Sequence, residues 1–188
     1  MKKALKIFAI VLGVILAGVL IFALINIKSV LLAFGIGKLD VKSYDAAKST
    51  LEQSQLYTDI EVADVSGDDN TRAITCSTQD GVADFVIQGN EGEAITKIDA
   101  EIHGELLKDI DPTNVAALSE KAKTYLSPII ADDQVLGLSG FVAKEALKQY
   151  NQGKTLISIQ QDFDGVSVSI NGDINTQQFT VEIITNPK

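Results

Sequence analysis

The side chains that most often carry chemistry are scarce and poorly grouped in this chain: one cysteine, Cys76, and one histidine, His103, in 188 residues. A Ser–His–Asp arrangement needs a base beside its nucleophile. His103 closes a strand pattern just before Gly104, where a solvated turn histidine is expected. The nearest approach to a nucleophile elbow, Gly137-Leu138-Ser139-Gly140-Phe141, lacks the final glycine and lies inside a helical pattern rather than after a strand. Cys76 stands in the alternating run Ile74-Thr75-Cys76-Ser77, which makes it a buried strand thiol, and as the only cysteine it has no disulfide partner.

Metal chemistry fares no better. Structural zinc favours clustered Cys and His, and calcium wants several oxygens on one tight loop. Asp162-Phe163-Asp164-Gly165 and Gly67-Asp68-Asp69-Asn70 could open such a loop, but neither continues with a third acid and a distal glutamate, so both are expected to be hairpin turns. The acid pairs Asp109/Asp111, Asp132/Asp133 and Glu91/Glu93 fall in turns or helix caps, where carboxylates serve the backbone. Acid–base work would need burial to separate their pKa values. Gly35-Ile36-Gly37-Lys38 lacks the preceding strand and the spacing of a phosphate loop. No catalytic, cofactor-binding or metal-binding residue is assigned, and a non-enzyme is expected.

The elements that would position a binding surface are easier to read. Ile7 to Ile25 holds no charge and no proline and is apolar on every face. Its 19 positions reach roughly 28 Å at 1.5 Å per residue, close to the ~30 Å hydrocarbon core of a bilayer. A buried core helix would keep a polar face. A cleaved secretory signal has a shorter apolar region and a small-x-small site, whereas the nearest such triplet here, Ala33-Phe34-Gly35, lies beyond Lys28. An uncleaved transmembrane helix, contacting the membrane through residues 7–27, is therefore expected. Lys2, Lys3 and Lys6 precede it and only Lys28 borders its far end, so the N-terminus is expected in the cytoplasm and the rest of the chain outside. Ser29 to Gly37 stays apolar, either extending the helix through the headgroups or packing on the domain.

Residues 1–38 thus read as anchor and juxtamembrane segment, and 39–188 as one extracytoplasmic domain. All 25 acidic residues but only 11 of the 16 basic ones lie after residue 39, a net charge of −14 there. Such a domain has no basic footprint for nucleic acid or anionic headgroups.

Asp40 to Leu56 has helical spacing, with Asp40 as cap and Tyr44, Ala47 and Leu51 on one face. The period then changes to two over Asp59–Val65, Arg72–Thr78, Val82–Gln88 and Ala94–His103, separated by turn residues. In the last of these Ile98, Ala100 and Ile102 alternate with Lys97, Asp99, Glu101 and His103, so one sheet face should be wet. Asp111-Pro112 opens a second helix with Val115, Leu118, Ala122, Tyr125 and Ile129 on one face, ended or kinked by Ser127-Pro128. A third follows Asp132-Asp133, its start weakened by Gly137 and Gly140 and its end set by Gly153. Strands over Thr155–Gln161, Val166–Asn171 and Gln178–Thr185 close the chain.

The fold class expected is α+β: an antiparallel sheet with helices on one face, built as two helix-plus-meander halves, 40–104 and 111–186. Asp80-Gly81-Val82 through Asn90 matches Asp164-Gly165-Val166 through Asp173, and Ala100-Glu101-Ile102 matches Val181-Glu182-Ile183. Arg72–Thr78 and Gln178–Thr185 are the expected edge strands. The function expected is binding of a protein or envelope component. A small-molecule or lipid carrier and an inhibitor or immunity-type protein are the alternatives.

Overall fold

In the computed structural model, which describes residues 27–65, 71–103, 125–176 and 178–185, the period-two segments become seven strands. They are β1 (Tyr57–Asp64), β2 (Arg72–Thr78), β3 (Ala83–Gly89), β4 (Ile95–Ile102), β5 (Leu156–Asp162), β6 (Val166–Asp173) and β7 (Gln178–Thr185). All pair antiparallel in one sheet of order β1-β2-β3-β4-β7-β6-β5. With helices α1 (Ile27–Ala33), α2 (Tyr44–Gln53) and α3 (Asp132–Asn151), the class is α+β. The expected span, Ile7 to Ile25, lies outside the described residues, as does the helix expected after Asp111-Pro112 apart from its end at Tyr125 and Leu126. Among the described residues no helix is long and apolar enough to cross a membrane.

The sheet has one dry face and one wet one. Ile74, Cys76, Phe85, Ile87, Ile98, Ala100, Ile157, Ile159, Val168, Ile170 and Ile183 are buried on the inner face. Tyr44, Ala47 and Leu51 of α2 and Val135, Leu138 and Phe141 of α3 join them in a single core. Two three-stranded meanders, β2-β3-β4 and β5-β6-β7, meet at the β4–β7 pair, with β1 added outside β2.

The expected edges are therefore wrong: β2 lies between β1 and β3, and β7 between β4 and β6. The strands that do end the sheet are blunted, as exposed edges must be to avoid pairing with other chains. The β1–β2 register shifts between Thr58 and Glu61, Asp59 there takes a positive φ of 52°, and Asp59, Glu61 and Asp64 charge the strand. On β5, the Gln149 amide from α3 replaces a missing strand. Its Nε2 donates to the Ser158 carbonyl at 2.7 Å, and its Oε1 accepts from the Ser158 N–H at 3.1 Å.

The first helix starts later than expected. Ser43, not Asp40, caps α2, its hydroxyl accepting from the Ala46 N–H. Val41 and Ser43 are instead bridged to Ile130 and Ala94 as extended chain. Asp40 is occupied elsewhere: it takes Lys28 and Lys38, each at 3.2 Å, and Gln134 Nε2 at 3.0 Å. Burial pushes its carboxyl upward, but the two lysines outweigh that and hold it below the usual range.

The segment Ser29 to Gly37 packs on the domain. Ser29 and Leu32 of α1 are buried against α3, and the approach is close because Gly137 presents no side chain. A Cβ there would lie 2.7 Å from both the Cα and the carbonyl carbon of Ser29.

Candidate functional site

The outer face of the sheet is the most distinctive surface the described residues offer. Antiparallel pairing stacks its side chains into rows that run across all seven strands. One row is Thr58, Ser77, Asp84, Glu101, Thr180, Asn171 and Ser158. The next is Glu61, Thr75, Val86, Asp99, Glu182, Ser169 and Gln160, and the third Ala63, Ala73, Gln88, Lys97, Ile184, Ser167 and Asp162. None of these residues is buried. The grid holds no aromatic ring, two branched aliphatics, many hydroxyls and amides, six carboxylates and a single lysine.

That lysine is held at the centre. Asp99 and Glu182 sit directly opposite each other across β4 and β7, two like charges whose contact would be unfavourable alone. Lys97 Nζ lies 3.1 Å from Asp99 and 3.0 Å from Glu182. The bond to Glu182, then that to Asp99, raises the lysine above its ordinary pKa. The triad leaves one net negative charge in mid-face. Asp84 is held below the usual carboxylate range by the Ser77 hydroxyl and then by His103, whose Nε2 is 2.9 Å from the Asp84 carboxylate. His103 is thus half-exposed, as a solvated turn histidine is expected to be, and it has a carboxylate partner.

The other residues weighed for chemistry are dispersed. Cys76 is on the inner face, as the alternation predicts, and His103 on the outer, so the sheet separates them. Burial pushes the Cys76 thiol up to about 11, with the Asp84 charge adding to it. Since the thiolate is the reactive species, Cys76 in the folded chain at pH 8 should react with a water-soluble disulfide reagent at least about a hundredfold more slowly than in urea. Equal rates measured by absorbance would show that the strand is open.

Asp162 opens the β5–β6 turn as a hairpin residue, its carboxylate accepting from the Gly165 N–H and the Ser167 hydroxyl. Asp132 pairs with Lys42 at 2.9 Å, Glu91 pairs with Arg72, and Glu93 accepts from Asn90. Gly67-Asp68-Asp69-Asn70 and the Asp109/Asp111 pair lie outside the described residues. Among the described residues no three His, Cys, Asp or Glu side chains converge as a metal would require.

On the inner face a cavity of about 170 Å³ lies between the sheet and α3, walled by Phe85, Ile98, Tyr125, Leu138, Val168 and Phe179. Its lining is almost wholly apolar. The sequence could not place it, because it arises from how α3 sits over the sheet and not from any local pattern.

Comparison of the chain with protein-family models, with curated proteins and with solved structures found no match.

Proposed function

We propose that this chain is a membrane-anchored extracytoplasmic module that binds a protein or envelope component through the outer face of its sheet. The observation that carries this reading is the grid around Asp99, Lys97 and Glu182, which no described residue covers. Seven strands about 4.8 Å apart and three rows make a face of roughly 35 by 20 Å, on the order of 700 Å², near the ~800 Å² each partner buries in a standard interface. Its acids favour a partner with a basic surface and speed their encounter. Nucleic acid would be repelled, and the absence of rings removes the stacking platform that single strands use. Strand addition is the weaker route, since β1 and β5 are both blunted.

The anchor reading rests on the sequence from Ile7 to Ile25. The pairing symmetry about Asp99 and Glu182 supports taking 40–104 and 111–186 as repeated units, with one revision. Ala83 pairs with Ile102, three residues past Asp99, and Val166 pairs with Thr185, three past Glu182. Ala83, and not Val82, is thus the counterpart of Val166.

The test is photocrosslinking in intact cells, with the anchor retained and the reactive group placed at Thr75, Glu101 or Asn171. One shared adduct from all three is expected, lost when Glu101→Lys and Glu182→Lys are combined and absent from a probe at Glu52. Adducts from Glu52 but none from the face would overturn the reading.

The apolar cavity favours a second reading, a carrier of a small apolar molecule. Mass spectrometry of the intact purified chain separates the two readings: a co-purifying acyl or aromatic compound supports the carrier.

A further inference from the structure

Eight large apolar side chains are exposed among the described residues, and half of them belong to α1, the turn after it and the start of α3. They are Phe34 at 66% exposure, Ile36 at 58%, and Leu31 and Leu136 at 40% each. The packing of α1 on α3 explains why they are not hidden. Leu32 and Ser29 take the buried positions, and Leu31 between them is left exposed. Behind the turn, Gly35 lies against Phe141, and the Gly35 carbonyl accepts from Gln161 at 3.0 Å, which fixes the loop carrying Phe34 and Ile36.

Three lysines surround the part of this patch formed by α1 and the turn after it. Lys28 and Lys38 flank it and share one carboxylate, Asp40, and the Lys144 ammonium lies 5.1 Å from the centre of the Phe34 ring. Beside α1 and its turn the three lysines face one carboxylate, while Asp132 and Asp133 stand one turn before Leu136 on α3, with Asp132 paired to Lys42. Phenylalanine, branched aliphatics and snorkelling lysines are what a bilayer interface accepts. The apolar run Ile7 to Ile25 also ends at Asn26, directly before α1.

We infer that this face of the α1–α3 pair rests in the headgroup layer of the bilayer, so that the domain lies against the membrane it is anchored in. The inference rests on the anchored reading above. Geometry adds a condition. If α1 continued the axis of an upright span, Phe34 would stand roughly 13 Å beyond Ile25 at 1.5 Å per residue, past a headgroup layer of about 5–8 Å. The axis of α1 must therefore incline along the surface.

The full chain is reconstituted in vesicles of phosphatidylcholine and phosphatidylglycerol, with a nitroxide attached at Phe34→Cys, Ile36→Cys or Leu136→Cys. Buried Cys76 stays in place, and Asn171→Cys on the outer sheet face is the control. Collision with oxygen, which concentrates in lipid, should dominate at 34, 36 and 136, and collision with a water-soluble nickel complex should dominate at 171. Nickel dominance at 34, 36 and 136, in a chain that resists alkaline extraction, overturns the inference while leaving the anchor standing. Release by alkali overturns both. Spin–spin broadening between labels at 34 on different chains would assign the patch to a second copy and overturn it too.

Discussion

Gly137→Val should cost about 3 kcal/mol, the upper end of what overpacking a close contact costs, and should free α1 from the domain. The new Cβ meets the backbone of Ser29, its Cα and carbonyl carbon both 2.7 Å away, and backbone cannot rotate aside as a side chain can. Two added methyl groups deepen the clash. Urea unfolding would show a lower midpoint, and the amides of Ile27–Ala33 would exchange faster than those of α2. Gly140, one turn on, provides the control: a Cβ there meets only the Ala33 side chain, at 3.9 Å. Gly140→Ala should leave stability unchanged or raise it by up to ~1 kcal/mol through helix propensity. Equal behaviour of the two variants would show that the contact with Ser29 does not hold α1.

Phe163→Ala should be at least as damaging, at about 4 kcal/mol. The ring is fully buried and meets Phe141 edge to face with centroids 5.5 Å apart, while its carbonyl accepts from the Leu39 N–H. The side chain thus ties the β5–β6 turn to α3, while the backbone of the same residue ties it to the chain leaving α1. For a domain whose whole stability is on the order of 5–15 kcal/mol, the urea midpoint should fall by roughly 2 M at an unchanged slope near ~2 kcal/mol/M. A midpoint unmoved by the substitution would mean that the ring is not part of the core.

Phe163 also marks where local pattern stops being informative. Flanked by Asp162, Asp164 and Gly165, it reads as the tip of a turn, and nothing in those four residues says that the tip is folded under a helix. Gly137 is similar: the sequence shows a weak helix start, and only the parallel approach of α1 explains why a side chain is missing there. The strands, by contrast, were legible almost to the residue, because burial on one face imposes a period of two. Arg72–Thr78 and Gln178–Thr185 were placed with their observed limits and yet assigned to the wrong place in the sheet. Strand order depends on which meander strands meet, and alternation carries no record of that. The matched Asp-Gly turns do not align residue for residue in the sheet, since the β2–β3 connection is longer than the two-residue turn at Asp164 and Gly165.

The candidate face was half legible. The alternation in β4 announced a wet surface bearing Lys97, Asp99 and Glu101, but Glu182, eighty-odd residues away, could be joined to them only by the β4–β7 register. The same register gives the face a backbone that nearly maps onto itself by a half-turn, while its side chains do not follow. Under that half-turn Lys97 falls on Thr180, Glu101 on Ile184 and Asp84 on Ser167. One side is charged and the other lined with hydroxyls. A surface docking there as proposed would meet two geometrically equivalent landing directions that differ in chemistry, and a polarised partner would settle in only one of them.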